Sequence, residues 1–544
     1  MKDSQQLQNF SNFFYLISFF FSIIIIIPLL TVFFSFFQGT TEYLTILKDT
    51  FLLKYTLNSF FMLIGVMLFT FIFGFTSAYL LTFFCFPGSK FLQWGLILSF
   101  AIPSYIYAFS LNSFFENYGV AYSIFVNLFG EGDYNKIIPE FDGLLGSIIS
   151  LSFTLFAYVY VLVKSAFFFQ SQNLLDVSKT LGFSKINIFR HLIIPSSRPA
   201  IIVGLSLVAM ETLSDFGTVS FFGVSTLTTA IYNSWIGFDD ISTANQISFV
   251  LIMFIFLFFT IEYFSRNKAK YHENNKDSFK QKKPVKLLGI NAILASIFCN
   301  SLFFFSFIFP ISLMLFWFLK FPNFFSFNEF LKLNINTFIL VFFSCIFLIF
   351  VSLFNNFTNR IINTKLLNAI NIISVSGYAI PGVILSLALM NFFSFISYIT
   401  NFNIKELFIG TIFGLVLAYM IRFYALSFNA VRSYYVKINK SVDETAFILG
   451  YSKLKIFSNI HFPFLKKSCL FVIILLSTEI IKELPITLIL RPFNFETFST
   501  KAFGYAQQDL IEAAAFPSLC LIIWSSIFIF ISSKFILQDG RVKK

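Results

Sequence analysis

Long apolar runs constrain this chain more than any other feature. A helix needs about 20 consecutive apolar residues to cross about 30 Å of hydrocarbon. Twelve such runs are read here: 14–37, 57–86, 91–111, 144–163, 199–215, 247–263, 287–319, 337–355, 367–389, 407–428, 468–482 and 515–531. The chain is 57% hydrophobic and only 12% charged, with a mean hydropathy of +0.81, where soluble domains carry roughly 25% charged residues. Lipid is therefore the solvent for most of it, and backbone groups inside the spans must be satisfied by helices. The expected fold class is all-α and integral to the membrane, with about twelve transmembrane helices.

The first apolar run lacks an obvious small-residue cleavage site and reads as a retained helix rather than a signal peptide. The five cysteines, Cys85, Cys299, Cys345, Cys469 and Cys520, lie in or beside apolar runs and form no CxxC pair, so neither a zinc site nor a disulfide framework is indicated. The net charge of +12 would suggest nucleic acid in a soluble protein. Here its distribution reads as membrane topology. With the amino terminus placed in the cytoplasm, 28 of the 38 Lys and Arg fall in cytoplasmic segments and 8 in external loops, leaving Arg422 and Lys482 in spans. By the positive-inside bias both termini are expected to be cytoplasmic. The basic stretch 265–286 reads as a cytoplasmic tether near anionic headgroups. It divides the chain into a first half, 1–264, and a second, 287–544.

The halves share a repeat. LLDVSKTLGFSKINIFRHLIIP at 174–195 aligns without gaps within SVDETAFILGYSKLKIFSNIHFP at 441–463, from Val442 onward. Asp176 matches Glu444, Gly182 matches Gly450, Ser184 matches Ser452 and Pro195 matches Pro463, each pair 268 residues apart. Glu211 with Glu479 and Asp215 with Glu483 continue the register, and Ala101-Ile102-Pro103 upstream resembles Ala379-Ile380-Pro381. A parallel duplication about an axis along the membrane normal is expected.

Within each copy the local chemistry reads helix, break, helix. Gly182 and Gly450 stand where a helix ends in a left-handed residue. Ser184 and Ser452 suit the N-cap of a second helix, which is expected to end before Pro195 or Pro463. An amphipathic hairpin lying on the membrane surface would use the same composition, but it would not require one acid–Gly–Pro spacing twice.

These residues resemble the Glu-Ala-Ala motif of ABC importer permeases. Glu444, Ala446, Gly450 and Pro463 fit that pattern, with Thr445 in place of its first Ala; in the first copy Asp176, Val177 and Ser178 replace Glu-Ala-Ala while Gly182 and Pro195 remain. The resemblance covers essentially the whole chain. It implies a type I importer fold in which both copies dock on a cytoplasmic ABC ATPase, expected as a dimer, and a periplasmic substrate-binding protein delivers the substrate to an inner-membrane permease. No Gly-x-x-x-x-Gly-Lys-[Ser/Thr] loop occurs, so the chain lacks the P-loop cradle for ATP. It is expected to bind no cofactor and to be no enzyme, with ATP and Mg held by the ATPase subunit.

Two fused permease halves, together with segments 210–235 and 482–508, are similar to the ferric iron permease family, whose relatives carry thiamine and 2-aminoethylphosphonate. Glu211 and Asp215 are four residues apart and share a helix face, as do Glu479 and Glu483. Carboxylates in or near a span are costly and usually functional, and hard oxygen ligands suit a trivalent cation. The four either line a substrate path, with Asp215 and Glu483 at its outer mouth, or pair locally with Lys482, Arg491 or backbone groups. No stable metal site is expected from the three histidines, of which His191 and His461 are placed at headgroup level. A secondary transporter of two six-span repeats, driven by an ion gradient, is the competing class; it would have no ATPase to dock.

Overall fold

The computed structural model describes residues 15–26, 30, 31, 34, 41–168, 178, 180–270, 284–362 and 364–540. These residues are helical except for loops and one parallel pairing of two-residue strands, Phe84–Cys85 with Val285–Lys286. Among them, nine helices are long and apolar enough to span a membrane: Leu52–Phe83, Gly143–Phe167, Ile186–Ser214, Ile241–Ile261, Ile290–Lys320, Phe327–Ile362, Gly382–Thr400, Ile412–Tyr435 and Ile511–Ser532. A helix pair bent by 94°, Ser89–Ala101 with Ser104–Phe129, raises the number to ten. The chain is thus a helical, multi-pass membrane protein.

Among the described residues, two of the predicted runs break at an Ile–Pro step. Run 91–111 breaks at Ile102–Pro103 and run 367–389 at Ile380–Pro381. Proline crowds the residue before it out of the helical region, and Ile102 (φ −101°, ψ 115°) and Ile380 (φ −86°, ψ 127°) are both extended. Each break follows a 3₁₀ turn, Leu96–Ala101 or Ser376–Ala379. Irregular backbone at membrane depth survives only where protein or a cavity covers it, so these breaks mark where a cavity should lie. The first residues of the predicted tether are helical. Nothing in 265–270 breaks a helix, and Ile241–Lys270 runs through it; 271–283 lie outside the described residues.

Helix Gly143–Phe168 is central to the N-terminal part, packed by Leu52–Phe83 and Ile194–Ser214. Gly74 lets the first of these approach closely: a Cβ there would lie 2.7 Å from Val159 Cβ and 2.8 Å from Phe156 O, the small-residue packing that membrane helices favour. In the C-terminal part Ile412–Tyr435 is central, packed by Phe327–Ile362 and Phe462–Lys482. There Ser352 and Ser427 hydrogen bond across the corresponding contact. The first helix of each part packs on the other part. Ser18 Oγ donates to Asn355 Oδ1 at 2.8 Å, and Ser296 Oγ donates to Pro87 O at 3.1 Å.

Candidate functional site

The two helix breaks and the ends of helices Ile194–Ser214 and Phe462–Lys482 enclose a cavity of about 130 Å³. All four path carboxylates named from the sequence, Glu211, Asp215, Glu479 and Glu483, line it. The i, i+4 spacing does not put each pair on one continuous helix face. Asp215 and Glu483 lie just past the helix ends in extended conformation, and there they turn to cap the short helices that follow.

Asp215 Oδ1 accepts from the backbone N–H of Thr218 at 3.0 Å and of Val219 at 3.2 Å. Its Oδ2 accepts from the hydroxyls of Ser104 at 2.8 Å and Thr218 at 3.1 Å. Glu483 Oε1 accepts from Ile486 N at 3.3 Å, and its Oε2 lies 3.2 Å from Arg422 Nε. Asp215 and Glu483 are therefore held by local donors and by Arg422.

Glu211 and Glu479 differ. Glu479 Oε1 lies 3.0 Å from Lys482 Nζ, the local pairing that the sequence left open. Arg491 pairs instead with Glu496, at 3.3 Å. Glu211 Oε1 accepts from the Tyr378 hydroxyl at 2.7 Å and forms no ion pair among the described residues. The two basic groups also satisfy carbonyls freed at the breaks: Lys482 Nζ donates to Phe100 O at 3.1 Å and Arg422 Nη1 to Ile380 O at 3.2 Å. With four acids and two bases lining it, the cavity carries two excess negative charges when all are ionised.

Sequence reasoning did not assign Arg422, Tyr378 or Tyr158 to this site. An Arg inside an apolar run was the available signal for the first. The tyrosines gave none among so many aromatics. No group of three or more His, Cys, Asp or Glu among the described residues is arranged to hold a metal ion.

The repeated segments are the second candidate site. Gly182 and Gly450 are left-handed, at φ 76° and 77°. In the second copy Gly450 N donates to Phe447 O and Tyr451 N to Ala446 O, both at 3.0 Å, which together close a Schellman motif. Phe183 N to Ser178 O, at 3.1 Å, is the matching bond in the first copy. Ser184 and Ser452 cap as expected, accepting from Asn187 N at 3.2 Å and Lys455 N at 3.4 Å. Asp176 lies outside the described residues. Glu444 is exposed and Ala446 buried, while the apolar Leu181, Ile448 and Leu449 stand exposed beside the glycines.

The second helix does not end before the proline. It continues through Pro195 or Pro463 by way of a π-turn, Phe189–Ile193 or Phe457–His461. The extra residue in that turn relieves the carbonyl clash and the missing N–H that Pro imposes on a regular helix. His461 is fully buried, with Nε2 2.7 Å from Asp443 Oδ1. Asp443 Oδ2 lies 2.6 Å from Arg360 Nε, which joins the segment to helix Phe327–Ile362. His191 is exposed.

A multi-pass helical protein whose broken spans surround a polar cavity has the architecture of a transport permease. Residues 71–269 match the family described as the binding-protein-dependent transport system inner membrane component. The chain is 23% identical to the Fe(3+)-transport system permease protein FbpB 2 of Haemophilus influenzae over 465 residues, 85% of this chain and 86% of that one. It is 28% identical over 155 residues to the sulfate transport system permease protein CysT of Salmonella typhimurium, 28% of this chain and 51% of that one. The Escherichia coli protein of the same name is 27% identical over 155 residues.

Proposed function

We infer that this chain is the fused permease of a binding-protein-dependent ABC importer and that it carries ferric iron from a periplasmic binding protein into the cytoplasm. The observation that carries the reading is the convergence of Glu211, Asp215, Glu479 and Glu483 on one cavity with two excess negative charges. Such a cavity concentrates cations and repels anions. The similarity to an Fe(3+) permease along most of both chains agrees with it.

In this reading the chain is a duplication, 1–264 and 287–544, of six spans each, joined by a basic cytoplasmic linker, with both termini cytoplasmic. Its support is the recurrence of features at one offset: the left-handed glycines, the π-turns and the acids that cap beyond a span. Gly182, Pro195, Glu444, Ala446, Gly450, Pro463 and Asp176 would form two coupling segments on an ATPase dimer. Exposed Leu181, Ile448 and Leu449 suit an apolar docking cleft.

The sulfate permease relatives and the cavity's Arg422 and Lys482 favour a second reading, an anion importer. Both cations, however, are already paired with carboxylates. Reconstitution in proteoliposomes with the cognate ATPase and binding protein decides. ATP-dependent uptake of ferric iron is expected; uptake of sulfate, thiamine or 2-aminoethylphosphonate with none of iron would overturn the iron assignment.

A further inference from the structure

The repeat is broken at one charged position beside the inner acids. Glu211 matches Glu479 and Asp215 matches Glu483, but Ser214 of the first copy is replaced by Lys482 in the second. Lys482 extends from its own span to the opposite half. Its Nζ donates to Phe100 O in the 3₁₀ turn Leu96–Ala101 at 3.1 Å while lying 3.0 Å from Glu479. The reverse crossing is made by Tyr378. It sits in the other 3₁₀ turn, Ser376–Ala379, and donates to Glu211 at 2.7 Å. Each carboxylate-bearing helix end is thus tied to the helix break of the other half.

We propose that Lys482 and Tyr378 are the two latches of a gate, and that Lys482 is a tethered stand-in for the transported cation. With the path empty, its ammonium occupies the Glu479 carboxylate and holds the Phe100 turn closed. An arriving cation takes the Glu479 oxygens and repels the ammonium, which releases Phe100 O and lets the halves separate. A neutral solute has no charge with which to displace Lys482, and an anion that could draw the ammonium away is opposed by the cavity's excess negative charge, so the latch adds selectivity to the charge of the cavity. The identity of the displacing cation rests on the importer reading above; the latch itself rests only on the two crossings.

The test is ATP hydrolysis by the complete complex in proteoliposomes without binding protein or substrate, alongside iron uptake. A charged hydrogen bond lost from one of two states shifts their equilibrium roughly ten-fold, so Lys482→Met should raise basal hydrolysis about ten-fold, with Lys482→Arg restoring much of the control. Tyr378→Phe removes one hydroxyl with little change in shape; it should raise basal hydrolysis too, and it decides the matter if Lys482→Met fails to assemble. Wild-type basal rates in assembled Lys482→Met and Tyr378→Phe complexes would overturn the latch. Raised basal rates with no iron uptake in the wild type would instead uphold the latch and overturn the iron assignment.

Discussion

Arg422 Nε lies 3.2 Å from Glu483 Oε2, and Nη1 of the same guanidinium donates to the Ile380 carbonyl at 3.2 Å. One side chain thus neutralises an acid at the end of one span and satisfies the backbone at the break of another. Both partners are buried. Removing one member of such a pair leaves an uncompensated charge and costs about 3–5 kcal/mol, whereas replacing both together can be near neutral. Arg422→Met should therefore lower thermal stability in detergent strongly, and Arg422→Met/Glu483→Gln should recover a large part of the loss. A double mutant no more stable than the single one would show that the two side chains act independently.

Gly450 closes its Schellman motif at φ 77°, and a Cβ built there would meet nothing within 4 Å. Any penalty for a side chain at this position therefore comes from the backbone rather than from a clash. A left-handed residue other than Gly costs roughly 1–2 kcal/mol, more for a β-branched one, and Asn least. Gly450→Val should reduce ATPase co-purification and transport while the permease still inserts, and Gly450→Asn should retain both. Undiminished ATPase binding and full transport in Gly182→Val/Gly450→Val would rule out docking through these turns.

Much of this architecture was legible in the sequence because it depends on local rules. Apolar runs had to become helices, and an acid–Gly–Pro spacing found twice had to become the same turn twice. The four acids could be paired by repeat position alone. What stayed hidden depended on distance in the chain. Tyr378 is 167 residues from Glu211, and Phe100 is 382 from Lys482, so no pattern along the chain connects them. The breaks before Pro103 and Pro381 were missed for another reason: hydropathy stays high through Ile102–Pro103 and Ile380–Pro381, although Ile102 and Ile380 are extended there. The run of helix through Pro195 and Pro463 was misjudged because a π-turn leaves no mark in composition.

Asp240 tests how the start of helix Ile241–Lys270 is held. Its Oδ1 accepts from Thr243 N at 3.0 Å and its Oδ2 from the Thr243 hydroxyl at 2.7 Å. Partial burial pushes the carboxyl pKa up, but the hydrogen bonds outweigh it and keep it below the usual 3.8. A carboxyl with a depressed folded pKa stabilises the fold above its unfolded value and loses that contribution as pH falls through the folded one. Asp240→Ala should cost about 1 kcal/mol near neutral pH, and its deficit against wild type should shrink as pH drops below 3.8. A deficit constant from pH 7 to pH 3 would mean that the ionised carboxylate is not what caps the helix.

Glu211 is the acid of the cavity with the fewest demands on it. Asp215 caps a helix through three hydrogen bonds and accepts a fourth from Ser104, Glu483 holds Arg422, and Glu479 holds Lys482. Glu211, which lines the cavity, accepts from the Tyr378 hydroxyl alone among these contacts, one of about four hydrogen bonds a carboxylate can accept. Glu211→Gln keeps the size of the side chain and an oxygen for Tyr378, so a structural role would survive the change. The charge would not, and the excess in the cavity would fall from two to one. A cleft of one sign raises local counter-ion concentration by roughly ten-fold or more, so iron uptake should fall by about that factor while expression and assembly stay normal. Glu479→Gln should also slow uptake, but with an added rise in substrate-free ATP hydrolysis, because it loosens Lys482 as well. That split between two acids at equal positions in the repeat separates a path role from a purely structural one. If Glu211→Gln, Glu479→Gln and the double mutant all transport ferric iron at wild-type rates, these acids do not line the route of the substrate.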